Sequence, residues 1–183
     1  SSSLSLPKDV RRALSIRAGL KTNVAKAGPD LRLGPVVGVF VNPDVAARAV
    51  QGRAGFRLVE LMKANRKAGC ILYVFSSEDV TWSPPRVNGA YYDRCHNEWR
   101  QRSFPLPDVL YDRGGGFSSI QIPLADYIRR QLWSVPGLKK FNGQHYFDKW
   151  DQYQRLMRYS PLCRHLPETD RKSTRLNSSH GII

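Results

Sequence analysis

The sequence is poor in sulfur. Its 183 residues hold three cysteines and two methionines, and Cys70, Cys95 and Cys163 stand far apart with no C-x-x-C pair. An odd number of scattered thiols argues against a disulfide framework and fits a reducing, cytoplasmic setting. Long apolar runs are missing too: Pro35 to Val41 is the longest clean one, far below the ~20 residues that span a bilayer, so no membrane partner is expected. The opening SSSLSLPKDVRR lacks a basic segment leading into an apolar one, so no secretory signal is expected. Acidic residues are scarce, 15 against 29 Lys and Arg, leaving a net charge of +14. Such an excess points to nucleic acid, anionic surfaces or phosphorylated ligands. Yet the cations form no block of five or six, and no RNP-like strand studded with aromatics is present. A basic, well-solvated surface is therefore preferred to a dedicated nucleic-acid site.

What is there is enough for a core, with 41% hydrophobic and 10% aromatic residues. The chain is organised around Phe104 to Gly116, FPLPDVLYDRGGG. Pro105 and Pro107 hold the entry extended, and Val109, Leu110 and Tyr111 suit a buried strand. The run ends on Asp112, Arg113 and the glycines Gly114, Gly115 and Gly116. An apolar strand that delivers charge and flexible backbone to one spot is how open α/β folds build sites at strand carboxyl ends.

Upstream, Leu4 to Leu33 reads as a small basic α+β unit with a short helix at Pro7 to Ser15. Gly34 to Val41 is nearly continuous in β-formers, as a central parallel strand should be. Asn42-Pro43-Asp44 terminates it. Phe56 to Lys67 predicts a helix, with Phe56, Val59 and Met62 on its apolar face, widened by Leu58 and Leu61, and Gly69 as its C′ residue. Cys70 to Phe75 predicts the next strand, completing a βαβ unit. Val80 to Tyr92 reads as an irregular excursion with one or two short strands, and Cys95 to Arg102 as one or two helical turns. Beyond the glycines, Pro123 to Leu132 predicts a helix with a Leu124, Ile128, Leu132 stripe. Phe141 to Tyr146 reads as a short strand. Lys149 to Tyr159 reads as a helix capped by Asp148, with Trp150, Tyr153 and Met157 on one side.

GPVVGVF, VFSSEDVTW followed by Gly89, FPLPDVLYDR, FN…FDKW and HLPET occur in an order that resembles the YheC/YheD family, endospore coat-associated proteins built on the ATP-grasp fold. The likeness covers about Leu31 to Thr169. It implies an α/β protein in four parts. These are a small appendage over 1–33, a Rossmann-like pre-ATP-grasp domain over 34–135, the truncated start of an ATP-grasp domain over 136–169, and a tail over 170–183. It implies a parent that binds ATP and Mg²⁺ and joins an unknown carboxylate to an amine through an acyl-phosphate, with spore-coat proteins as further partners and a spore-associated location. Asp148-Lys149 matches the pair whose lysine meets the nucleotide phosphates in related enzymes. Solvation of Lys149 beside a capping Asp148 is the equal alternative. The family pattern would continue past LPET into a second lysine, a glycine-rich loop, adenine-binding backbone and Mg²⁺ ligands. None of these follows, so no ATPase or ligase activity is expected of this chain by itself. Instead Asp170 to His180, DRKSTRLNSSH, resembles a translated sequencing adapter. Setting aside three cations and one anion in that tail moves the net charge from +14 only to +12.

Gly114, Gly115 and Gly116 suit an anion-binding backbone nest, but they match neither common phosphate motif, and a flexible strand-to-helix turn is slightly preferred. For Asp112 and Arg113 the resemblance implies a substrate pocket, while the alternative is a local ion pair. Cys95-His96 and Cys163-x-His165 fit no zinc template, and no metal ligand or catalytic triad is assigned. Trp82, Trp99, Trp133 and Trp150 are read as packing residues. The competing functional reading is a non-catalytic basic component of the spore coat, and the third a nucleic-acid-binding module.

Overall fold

The computed structural model describes residues 5–13, 22–142 and 149–168, and the chain divides into two compact units, 1–143 and 144–183. The first opens with helix α1 (Lys8–Ala13) and a hairpin of strands β1 (Val24–Ala27) and β2 (Asp30–Leu33), paired antiparallel from Val24–Leu33 to Ala27–Asp30. Gly28, at φ +64° beside Pro29, makes the tight turn.

Strand β3 (Val36–Phe40) follows, then α2 (Pro43–Val50), α3 (Phe56–Ala68) and β4 (Ile71–Phe75). Helix α2 is an addition to the sequence reading. Asn42 ends the strand and also caps the helix, its Oδ1 accepting the Asp44 N–H at 2.9 Å with Pro43 in the first turn. In α3, Leu58 and Met62 are buried and Gly69 takes the left-handed cap at φ +65°. Phe56, expected on the buried face, stands 77% exposed. Leu58, two positions on and so nearly on the opposite side of the helix, takes the buried place in the first turn.

The excursion after β4 is more regular than expected. It forms β5 (Val80–Trp82), β6 (Pro85–Asp93) and β7 (Glu98–Phe104). Residues 98–102, expected to be helical, lie in β7, paired to β6 from Asp93–Glu98 to Val87–Phe104. Asn97 at φ +54° makes the turn, a conformation asparagine tolerates better than most residues. Strand β8 (Val109–Asp112) then returns to the centre, and α4 (Ile122–Ser134) leads to β9 (Lys139–Lys140). That last strand falls just before the expected Phe141 to Tyr146, of which residues 143–146 lie outside the described set.

The main sheet runs β5-β6-β4-β3-β8-β9, with β7 on β6. The β4-β3-β8-β9 stretch is parallel, in register from Phe40 to both Phe75 and Asp112, and β6 joins antiparallel through Val74–Ala90. Alternation along the strands feeds two cores. Even-numbered Val36, Phe40 and Leu110, with Tyr73 and Phe75 of β4, face Ala125, Ile128 and Leu132 of α4. Val39, Val41 and Val74 face Ala46 and Ala49 of α2 and Leu58 and Met62 of α3. The first unit is thus a mixed α/β structure whose sheet is parallel over β4-β3-β8-β9 and antiparallel over β5, β6 and β7, with helices on both faces of the parallel part, where the continuous apolar strands lie. Leu124 of the expected α4 stripe is 42% exposed, and Ala125 takes its place in the core. The tryptophans at 82, 99 and 133 pack against these cores.

Tyr73 is fully buried, and its hydroxyl donates to the Pro105 carbonyl at 2.9 Å. Burial pushes its pKa well above the ordinary tyrosine value, and the nearby Asp108 carboxylate adds to the shift. The unfolded chain loses this proton near pH 10 while the folded chain keeps it. Stability is therefore whole below about pH 10 and falls by up to about 1.4 kcal/mol per pH unit above it. In urea unfolding between pH 9 and 11, Tyr73→Phe should be less stable than wild type at pH 9 and show an alkaline slope smaller by about one proton. Parallel slopes would refute this assignment.

The second unit holds α5 (Lys149–Met157) and α6 (Ser160–Cys163). The expected helix is therefore observed, ending two residues earlier. Trp150 and Tyr153 stack at 5.6 Å, and Met157 is 44% exposed. No residue of either helix is buried. Asp148, the expected cap, and 170–183, the expected extraneous tail, lie outside the described residues. Among the described residues no helix is long and apolar enough to cross a membrane.

Candidate functional site

Strands β3 and β8 are neighbours whose onward connections part company. From β3 the chain passes through α2 and α3 to β4 on one side, and from β8 through α4 to β9 on the other. The crevice at the carboxyl ends of two such strands is where open α/β sheets place ligands. Asn42 closes one side of it, and Asp112, Arg113, Gly114 and Gly115 the other.

Asp112 does not pair with Arg113. Its partner is Arg129 of α4, which donates from Nε to Oδ2 at 2.8 Å and from Nη2 to Oδ1 at 3.2 Å. Both side chains are buried, 3% and 6% exposed. The guanidinium also donates to the Gly114 carbonyl at 2.9 Å and to Asp126 Oδ1 at 3.1 Å. It lies between the rings of Phe40 and Phe117, 5.2 Å from each centroid. Two aromatic faces and a two-pronged carboxylate contact are what offsets the desolvation of a planar, delocalised cation inside a protein. Asp112 Oδ1 further accepts the Gly114 N–H at 2.9 Å. A Cβ on Gly114 would stand 2.7 Å from Arg129 Nη2 and 2.9 Å from the Phe117 ring, so the first glycine is demanded by the ion pair beneath it.

The rest of the loop is tied from both flanks. Asn42 Nδ2 donates to the Gly116 carbonyl at 2.9 Å. Asn142 brackets the end of β8, accepting from Asp112 N at 3.0 Å and donating to its carbonyl at 2.6 Å. Phe141 meets Tyr111 edge-on at 4.9 Å. Arg113 is half-buried with its guanidinium 5.7 Å from the Tyr111 ring.

The chemical consequence is a division of labour. Both Asp112 oxygens are engaged, so this carboxylate holds the loop and is not available as a base or a metal ligand. Arg113 and the N–H groups of Gly115 and Gly116, which have no described hydrogen-bond acceptor, remain as a cation and two donors suited to an anionic group. Arg129, Asn42 and Asn142 were missed from the sequence. A cation at 129 inside the buried series 125, 128, 129, 132 was the available sign of a buried partner, and Asn42-Pro43-Asp44 was a readable cap. Lys149 belongs to the other unit, exposed at the start of α5. Cys95 and His96 lie on the β6–β7 turn, where His96 Nδ1 meets Asp93 Oδ2 at 3.0 Å. Among the described residues no group of three or more His, Cys, Asp or Glu is placed to hold a metal.

Replacing Asn42 separates its two duties. Asn42→Ala should lower stability by about 0.5–2 kcal/mol through the lost cap. Asn42→Asp keeps the acceptor for Asp44 and loses the donor to Gly116. It should hold the melting temperature closer to wild type while speeding hydrogen exchange at the 115–117 amides. Unchanged exchange in both variants would show that the contact does not hold the loop.

No protein-family model matches the chain, and no solved structure matches it significantly. Two curated proteins of Bacillus subtilis (strain 168) do. Endospore coat-associated protein YheD is 25% identical over 142 residues, 76% of this chain and 30% of the relative. Endospore coat-associated protein YheC is 23% identical over 128 residues, 68% of this chain and 34% of the relative. The chain thus spans about a third of the length of each. It is homologous, at low identity, to the endospore coat-associated proteins YheD and YheC.

Proposed function

We propose that this chain is the front part of an ATP-grasp protein linked to the spore coat, with residues 34–135 forming a Rossmann-like pre-ATP-grasp layer. The observation that carries this reading is the homology to YheD over 142 residues. The parallel β4-β3-β8-β9 stretch, with its groups gathered where β3 and β8 diverge, supports it. In this reading Mg-ATP, when bound to the whole protein, supplies the activation that lets a carboxylate be joined to an amine. Lys149, exposed and without a described partner, fits a phosphate contact. Arg113 and the Gly115 and Gly116 amides fit the carboxylate of the substrate. Asp112 fits neither role, since Arg129 and Gly114 occupy it.

Calorimetric titration of Mg-ATP into the longer protein that contains this chain tests the proposal. Binding is expected, with Lys149→Ala weakening it at least tenfold, or about 1.4 kcal/mol. No binding to the longer protein would overturn the ATP-grasp reading, and undiminished binding by Lys149→Ala would remove that residue's role. One observation favours a second reading. The buried Asp112–Arg129 pair at the candidate site is structural, which suits a non-catalytic coat component. Absence of Mg-ATP binding together with recovery in the spore-coat fraction would select it.

A further inference from the structure

On the α2/α3 face, away from the strand ends at Asp112, α3 and the β6–β7 hairpin flank a groove of about 700 Å³. Val59, Met62, Lys63 and Arg66 line it from α3, and their i, i+3, i+4, i+7 spacing makes them one continuous face of the helix. Tyr92, Arg94 and Trp99 line it from the hairpin. Tyr92 and Trp99 are direct cross-strand partners, edge to face at 5.8 Å, and both pack on the second core with Met62 and Val50. The groove is therefore apolar and aromatic along Val50, Val59, Met62, Tyr92 and Trp99, with Gln51 and Asn97 as neutral polar groups in the lining, and its position is fixed by the core behind it.

The charged groups of the lining are mostly cationic. Lys63, Arg66 and Arg94 are all exposed. Glu98 is the one carboxylate in the lining, and it is held by Arg100 with both contacts at 2.5 Å. Lys63 meets Glu60 at 2.8 Å in an exposed pair, a contact worth little in water. Asp93 at the end of β6 is buried and turned to His96 and Arg100. Arg66 and Arg94, contributed by opposite walls, have no described partner. Pockets of about 300–1,000 Å³ with apolar linings and a few converging polar groups are the usual form of small-molecule sites, and guanidinium groups favour planar carboxylates and phosphates.

We propose that this groove binds a small amphiphilic organic anion, an aromatic or aliphatic body set between Met62, Val59 and Trp99 with a carboxylate or phosphate held by Arg66 and Arg94. The site is separate from the strand-end crevice and does not depend on the ATP-grasp reading. Titration of the purified chain with the fluorescent anion anilinonaphthalene sulfonate tests it. Arg66→Glu with Arg94→Glu should weaken binding at least tenfold. Val59→Trp, which fills the groove and leaves the charges in place, should do the same. Arg57→Glu with Lys67→Glu makes the same charge change at exposed α3 positions outside the groove, and should leave binding within twofold of wild type. Naphthoate should displace the probe, and inorganic phosphate at the same concentration should not. Melting temperatures verify that each variant folds, and the neutral pair Arg66→Gln with Arg94→Gln replaces the reversal if that one does not. The proposal fails if wild type does not bind the probe, if both α3 charge reversals weaken it equally, or if phosphate displaces it as well as naphthoate.

Discussion

Replacing Arg129 with methionine should destabilise the protein by about 3–5 kcal/mol, because it leaves the buried Asp112 carboxylate without its counter-charge. The size of the effect follows from what the remaining partners can do. After the change Asp112 Oδ1 keeps the Gly114 N–H, while Oδ2 loses the Arg129 Nε contact at 2.8 Å in a place where the aspartate is 3% exposed. Methionine fills the space between Phe40 and Phe117 but offers no donor. Asp112→Asn should cost less, since the amide keeps an acceptor for Gly114 and the guanidinium keeps Asp126 Oδ1 and the Gly114 carbonyl as acceptors. The double variant is the deciding measurement. With both charges gone, its loss should fall clearly below the sum of the two single losses, the sign of a coupled pair. Arg129→Lys should not rescue, because an ammonium group cannot span both carboxylate oxygens and the Gly114 carbonyl. Urea unfolding at pH 7 measures all four. A loss below about 1 kcal/mol for Arg129→Met, or strict additivity, would mean that water reaches the pair and screens it.

This pair also marks how far the site could be read in advance. Asp112, Arg113 and the glycines were legible as a strand end because Pro105 and Pro107 lock an extended entry and Val109 to Tyr111 are apolar without interruption. Local chain stiffness and burial pattern were enough. The partner of Asp112 was not legible. A charged residue within a helical pattern is normally solvated, and only the closing of α4 over the sheet brings Arg129 to Asp112, 17 positions away. The same distinction separates β4 from β7. Cys70 to Phe75 is apolar throughout and declares itself as a strand. Glu98 to Phe104 carries two arginines and a glutamine, and its strand character comes from pairing with β6 and from Arg102 lying over the Tyr91 and Phe104 rings at 5.1 and 4.5 Å. Arginine serves there as part of the packed surface, which a hydropathy pattern scores as polar. Helix α2 was hidden for another reason. Its buried residues are Pro43, Ala46 and Ala49, so its apolar face is made of small side chains and its strongest mark was the Asn42 cap.

The second large effect is expected at Phe104, where substitution by alanine should cost about 3–5 kcal/mol. Phe104 is 2% exposed and stacks on Tyr73 at 4.5 Å and 20°, with Tyr91 edge-on at 5.7 Å. Removing the ring opens a cavity beside Tyr73, whose hydroxyl is tethered to Pro105 and whose ring lies against Gly89. A Cβ on Gly89 would stand 2.6 Å from the Tyr73 ring, so the ring can lie against the neighbouring strand β6 at this point only because residue 89 has no side chain. Alone, Gly89→Ala should therefore cost about 1–3 kcal/mol by overpacking. In the Phe104→Ala background the Tyr73 ring has room to shift away, and the added methyl should cost much less or become favourable. That sign of coupling distinguishes a confined ring stack from two independent lesions. Equal costs of Gly89→Ala in the two backgrounds would show that the clash is relieved by movement of β6 itself, and that Tyr73 does not set the spacing between β6 and β4.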